Sequence, residues 1–486
     1  METAGKRGGG ARGMLLPALL GCSFAASFGQ SMMNIALPEA ADRFGVTLSI
    51  ANWLIVGYMV VAATSIMLAP FLLKRFGLRR VFFIGGGALA VGSALALVAP
   101  SFPALLCGRL VQAVCTGLFF PMVTSAIMAN SPKGTLGSRL ALNSAVIAVG
   151  LAVSPTASGL VLTYFGWGAL FVVPLVLALA LLAFGFPLIR GGRSTARASI
   201  DALSVVLGPL GLSALLYGLG EITHDPVPSI ASLVAGAAVL GLFVWRQLAL
   251  KDPLLNLRPL GHPRFAVGIL LVMVGMLTSF SMSILLPLYY EGALERTAFF
   301  AGLLLLGPVL VNAAFTFLGG RLFDKHGIWP LVPLGLVLVL VGQEGAFFSA
   351  EGLWAILVVA SSAVVYAGAG FVVAPSKTAA LGQLPPDLYP HGASINSTAV
   401  QLASALGSSL FVGVLSADVL RDTAAGAARA QAYASGFGHA LAIAVGIAAV
   451  GLVVAFFYAR AMRGRKKGEE EGGEAPRPSE TARGRQ

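Results

Sequence analysis

Apolar residues fill this chain in fourteen long stretches parted by short polar connections. Approximate limits are 14–38 (α1), 48–73 (α2), 81–99 (α3), 102–130 (α4), 138–163 (α5), 168–189 (α6) and 202–221 (α7) in the first part of the chain. The second part adds 229–248 (α8), 265–290 (α9), 298–320 (α10), 328–349 (α11), 353–381 (α12), 392–417 (α13) and 437–459 (α14). Each is close to or above the ~20 apolar residues that carry a helix across a bilayer. The pattern predicts an all-α polytopic membrane protein with fourteen transmembrane helices.

Polar residues interrupt these runs at helical spacing. In α1, Ser23, Ser27, Gln30 and Asn34 stand at i, i+4, i+7 and i+11, and in α13 Ser397, Gln401, Ser404 and Ser408 repeat that spacing. Asn312 and Thr316 mark one face of α10; Ser362, Tyr366 and, further along the same face, Lys377 mark α12. Ser and Thr can satisfy themselves on their own helix, but buried amides need partners or water. These faces are therefore candidates to line a cavity. In α4, Arg109 shares a face with Gln112 and Thr116. A charge so deep costs ~2.5 kcal/mol or more in lipid, so Arg109 faces protein or a water-filled space. Two roles stay open for it, a pin to helix carbonyls or a part in substrate or proton coupling. In α5, Gly150, Ser154 and Ser158 form a small-residue face beside Pro155 and Gly159. Such a face allows close helix packing, and packing there could also seal a cavity.

Composition fits this reading. The 486 residues have a mean hydropathy of +0.87, are 57% hydrophobic and only 11% charged, which excludes a soluble domain. A net charge of +12 could suggest a nucleic-acid partner, but the basic residues sit in short connections and in the tail. Of the 32 Lys and Arg, 27 lie on the face that carries both termini, four (Arg43, Arg296, Arg421, Arg429) lie on the other, and Arg109 is internal. This bias predicts cytoplasmic termini in a plasma membrane. The stretch before Cys22 resembles a lipoprotein signal, but the apolar run continues past it, so a retained first helix is expected. Cys22, Cys107 and Cys115 all lie in apolar runs without metal-ligand spacing.

The two ends of the chain echo each other. At an offset of 253, Gly117 meets Gly370, Pro132 meets Pro385, and Asn143-Ser144 meets Asn396-Ser397. At an offset of 250, Arg75-Phe76-Gly77 meets Lys325-His326-Gly327. The organisation expected is a cytoplasmic N-terminus (1–13), a six-helix half (14–190), a linker with two inserted helices (191–263), a second six-helix half (264–460) and a disordered tail (461–486). Repeated halves around a central site are a transporter architecture.

The connections carry a recognisable motif. PFLLKRFGLRRVF follows α2 and GGRLFDKHG follows α10. These resemble the repeated loop motif of the major facilitator superfamily. With Arg109–Gln112, Gly150 to Gly159, Asn34-Ile35-Ala36-Leu37-Pro38 and Gly166-Trp167, the chain resembles the fourteen-helix drug:proton antiporter family of EmrB/QacA type. The resemblance implies a two-half fold around a cavity bounded by helices such as α1, α4, α9 and α12. It gives Arg75, Gly77, Asp324 and Gly327 a role in locking loops against neighbouring helices. It also marks departures: Gly29 stands where the family usually has an aspartate, and Lys74 where the first loop motif has its acid. The cavity stripes hold no Asp or Glu. Among the acids, Glu221, Glu291, Glu295 and Glu351 stand at helix ends, and only Glu344 lies within a run, as a candidate proton carrier.

No Walker A sequence occurs, because the only lysine preceded by glycine is Lys6, which Arg7 follows. The chain is not expected to be an enzyme or to hold a cofactor or metal. The function expected is secondary export of amphipathic small molecules by alternating access, coupled to protons, by a monomer in lipid with no nucleic-acid partner. Missing acids beside Arg109 favour neutral or anionic substrates over cationic dyes. The alternatives are an uncoupled facilitator or metabolite exporter, and a transport-inactive sensor or scaffold.

Overall fold

The computed structural model describes residues 6–130, 136–189, 201–222, 225–250, 253–385 and 388–472, and every element there is a helix. Among the described residues, fourteen segments have the length and apolarity to span a membrane. They are α1 (Met14–Asn34), α2 (Leu48–Leu73), α3 (Arg75–Leu97), α4 (Phe102–Ile127), α5 (Leu142–Phe165), α6 (Trp167–Leu188) and α7 (Ala202–Glu221). There follow α8 (Pro226–Ala249), α9 (Pro263–Gly292), α10 (Ala298–Phe323), α11 (Leu331–Ala350), α12 (Ala355–Leu381), α13 (His391–Ala424) and α14 (Arg429–Met462). The even count returns the chain to its starting side, called here the terminal face; the opposite side is the far face.

Three boundaries differ from the apolar pattern. The first run does not continue to residue 38: α-helical geometry stops at Ser31, a 3-10 turn covers Met32–Asn34, and a short helix Leu37–Phe44 follows with Pro38 at its start. Proline lacks the N–H that a continuing helix needs but suits a first turn. The connection read between α13 and α14 shrinks to residues 425–428. Asp418 and Arg421 pair at 2.8 Å one turn apart, so charged residues extend α13 without breaking it. The last helix continues to Gly472, so residues 461–472 of the tail read as disordered are helical. Residues 1–5, Pro132, Lys133 and 473–486 lie outside the described residues.

The two halves repeat in space. Gly77 after α2 and Gly327 after α10 both take the left-handed backbone, with φ of 75° and 71°, which glycine adopts without strain. Gly117 brings α4 against Ser65 of α2; its counterpart Gly370 brings α12 against α10, where an added Cβ would lie 2.7 Å from the Thr316 nitrogen. The inserted pair α7–α8 is tied by Arg246, whose Nε and Nη2 both reach Asp201 at 2.7 Å. That guanidinium, with Ser204, holds the Asp201 carboxyl well below the usual carboxylate range. The end of α7 touches both halves: Ser49 at the start of α2 donates to Glu221, and Ser409 of α13 donates to the Leu216 carbonyl. The largest apolar cluster also crosses between the halves, joining Met33, Ile35 and Leu54 to Leu285, Tyr289 and Phe411.

Candidate functional site

The predicted cavity residues separate into two networks. The first lies wholly inside the N-terminal half. Arg109 is fully buried, and its Nη1 donates to the Gly29 carbonyl (3.0 Å) and to Gln112 Oε1 (2.8 Å). Its Nε points to the Leu54 carbonyl at 3.4 Å, and its guanidinium lies 4.3 Å from the centre of the Tyr58 ring. Gln112 donates on to Ser93 (2.8 Å), while Tyr58 and Thr116 share a 2.6 Å contact and Thr116 donates to the Ala26 carbonyl (3.0 Å). Arg109 thus ties α1, α2 and α4 together through neutral partners. No carboxylate pairs with it among the described residues, and Nη2 has no partner. A Cβ at Gly29, the position of the family's acid, would sit 3.4 Å from the Tyr58 hydroxyl, an ordinary contact.

The second network joins the halves. Gln30 donates to Gln401 Oε1 (3.1 Å), linking α1 to α13 through the two stripes of equal spacing. Asn34 donates to Ser283 Oγ of α9 (2.9 Å), and within the C-terminal half Asn312 of α10 donates to the Tyr366 carbonyl of α12 (2.8 Å). Asn52 and Ser408 exchange two bonds, of 3.0 and 2.6 Å. Asn34, Ser283 and Asn52 stand in the far-face parts of their helices, so the seam between the halves is closed there, while Gln401, Ser408, Tyr366 and Asn312 stand nearer the middle of theirs. Three buried polar atoms in it have no partner: Asn34 Oδ1, Tyr366 Oη and Gln401 Nε2. Each lacks a bond that a ligand group or a water could make.

Other predicted residues fall outside this group. Lys377 is exposed and makes no ion pair among the described residues. Arg75 is exposed and lies 5.9 and 5.7 Å from the Phe71 and Phe76 rings. The Asp324 side chain lies outside the described residues. The small face of α5 divides its work. Gly150 meets Ser27, and Ser154 donates to the Phe28 carbonyl (2.7 Å), so this part packs on α1. Pro155 and Gly159 meet α10, where Thr156 donates to the Gly302 carbonyl (2.8 Å). Ser158 is buried, and its hydroxyl has no partner.

At the far end of the seam lies a polar pocket of about 480 Å³. The N-terminal half supplies Glu39, Asp42 and Thr163; the C-terminal half supplies Glu291, Glu295, Arg296 and Arg429. Arg429 bridges the seam to Asp42 at 3.7 Å. Glu291 stands out because its Oε1 is fully buried and has no donor. Read from the sequence, Glu291 was one helix-end acid among several, and Glu344 alone lay within a run. The structure reverses their environments: the Glu344 side chain is exposed. Ser283, Asn52 and Glu291 are the residues that sequence patterning passed over. Asn52 and Glu291 stand without a stripe, and Ser283 sits among Thr278, Ser279 and Ser281, hydroxyls that can satisfy their own helix, so periodicity could not mark them.

The arrangement matches known proteins along nearly the whole chain. A family model described as Major Facilitator Superfamily matches residues 19–408 and again 269–485. The lincomycin resistance protein LmrB of Bacillus subtilis (strain 168) is 32% identical over 460 residues, covering 92% of this chain and 95% of that protein. The LmrB of Listeria monocytogenes is 31% identical over 455 residues, covering 92% and 97%. Among solved structures, a POT family transporter in complex with a thioalcohol-conjugated peptide superposes with a TM-score of 0.65 at 16% identity, covering 91% of this chain and 96% of its own. A bacterial homologue of the human lysosomal transporter Spinster, inward-facing and unoccupied, gives 0.64 at 15% identity, covering 93% and 97%. With a two-half bundle, a seam between the halves and family matches of this extent, the chain belongs to the Major Facilitator Superfamily and is a secondary transporter of the multidrug-efflux type.

Proposed function

We propose that the chain exports neutral, polar-headed amphipathic molecules through the seam, exchanging them for protons. The terminal face would lie in the cytoplasm, and one chain would suffice. The observation that carries this reading is the set of unpartnered atoms Asn34 Oδ1, Tyr366 Oη and Gln401 Nε2, contributed by both halves. They offer an acceptor, a hydroxyl and an amide donor, which suit a ligand carrying hydroxyl or amide groups. No acid stands among them to draw a cation. Resistance to lincomycin, named for the relatives, supports a drug-like cargo.

For coupling, we infer that Glu291 binds the proton. Its Oε1 lacks a donor inside the closed seam, and a proton is the partner it lacks. When the seam opens, the same carboxylate faces far-face solvent and exchanges freely. Protonation state and seam closure are then linked, which is what alternating access requires of a coupling group. Paired efflux assays test the cargo: Tyr366→Phe and Gln401→Leu should each slow export of a neutral hydroxylated amphiphile by roughly 2–10-fold, the worth of one hydrogen bond. Unchanged export in both variants, or faster wild-type export of ethidium than of the neutral compound, would remove the basis for this cargo.

A further inference from the structure

Away from the seam, α9 and α14 enclose an apolar groove of about 350 Å³ lined by Leu270, Val274, Ile443, Gly446, Val450 and Val454. Two glycines of α14 line it with opposite effects. Gly451 lets Val274 approach, to where an added Cβ would lie 2.7 Å from it, and Gly446 has open space where a side chain would be. From Ile443 to Val454 the helix rises roughly 16 Å. Half of the hydrocarbon core measures about 15 Å. Ile443 stands near the middle of α14, so the groove runs from mid-bilayer toward the terminal face.

Polar groups wait where it ends. Arg264 near the start of α9 and Arg460 near the end of α14 are both exposed, each six residues beyond the groove on its own helix. Neither forms an ion pair among the described residues. Between them and the groove lies Tyr458, only 5% exposed, whose hydroxyl is buried without a partner beside Gly268. Two guanidinium groups, an unbonded hydroxyl and an apolar slot one leaflet deep succeed one another along the membrane normal.

We propose that this groove is a specific site for an anionic phospholipid. One acyl chain fills the slot, and Arg264 and Arg460 hold the phosphate. Neutral lipid chains would enter the same slot but gain nothing from the two arginines. The site clasps α9, which carries Ser283 and Glu291, to α14, which carries Arg429, so an occupying lipid would brace the elements that close the seam.

The test uses the purified full-length protein in detergent, with bound lipid counted by native mass spectrometry. Phosphatidylglycerol and phosphatidylcholine of identical chains are titrated separately. Wild type should retain phosphatidylglycerol in preference. The double variant Arg264→Gln/Arg460→Gln should weaken phosphatidylglycerol roughly 30-fold, from two basic residues near a membrane surface, and leave phosphatidylcholine unchanged. Gly446→Leu places its side chain in open space, so the fold is kept, and it should reduce retention of both lipids. Equal retention of the two lipids by wild type, or variants that hold phosphatidylglycerol as wild type does, overturns the site. A dimer that Gly446→Leu splits would assign the groove to a second copy and equally overturn it.

Discussion

Arg109 shows how a buried charge is kept without a counter-ion. Three carbonyl-type acceptors and one aromatic face share the guanidinium, and three helices meet on it. Replacing it with alanine strands the Gly29 carbonyl and Gln112 Oε1, at about 1–3 kcal/mol for each buried group left unbonded. Arg109→Ala should therefore lower folded yield as well as transport, and Arg109→Lys, which keeps one donor, should recover part of the yield. Size-exclusion profiles beside efflux rates would separate the two effects; full yield for Arg109→Ala would show that the clamp contributes nothing. Gly29 offers the converse experiment. An added Cβ there makes only ordinary contacts with Tyr58 and Leu89, and Arg109 Nη2 is free to meet a carboxylate. Gly29→Asp should fold normally and gain export of ethidium over wild type, and no gain in ethidium efflux would separate Gly29 from cation selection.

Among the elements, α5 and α10 act as the closing edge. Gly159 lies against the Ala298 carbonyl, and a Cβ at Gly302 would come 2.6 Å from the Pro155 carbonyl oxygen. These contacts cross between the halves at the far face. Gly159→Ala and Gly302→Ala should force the two helices apart at a cost of about 1–3 kcal/mol, biasing the protein toward the far-face-open state by fivefold or more. The buried Ala301 reports this: as Ala301→Cys in a Cys107→Ser background, it should react faster with an impermeant thiol reagent when either glycine is replaced. Equal rates would mean that α5 and α10 do not form the gate. Gly150 works differently, packing within one half, so Gly150→Leu should reduce yield in any state.

At the scale of the molecule, the fourteen spans were legible because membrane crossing imposes one requirement, ~20 apolar residues, that a sequence states openly. The repeat was legible as well: the Gly77–Gly327 and Gly117–Gly370 matches mark equivalent backbone turns and helix contacts in the two halves. The matched stripes of α1 and α13 likewise meet in the Gln30–Gln401 bond. What patterning could not resolve was partnership. Arg109 and Gln30 looked like one cavity lining, yet Gly29 turns its carbonyl to Arg109 while its neighbour Gln30 faces the other half. Glu291 looked like a helix-end acid because its surroundings come from the short helix Leu37–Phe44 and the start of α14, more than a hundred residues away in sequence. The basic-residue bias makes a separate prediction: a cysteine at Arg258 should react only from the cytoplasm and one at Arg43 only from outside, and the reverse labelling would invert the map.

In the proposed cycle, export through the seam is driven by the proton gradient, with Glu291 as the proton site. Its most direct test is flux of a neutral amphiphile in proteoliposomes, with and without a proton gradient, for wild type and Glu291→Gln. Wild-type flux should be accelerated by the gradient and returned by an uncoupler to its gradient-free rate, and Glu291→Gln flux should be indifferent to both. Wild-type flux independent of the gradient, or no flux at all, would contradict it.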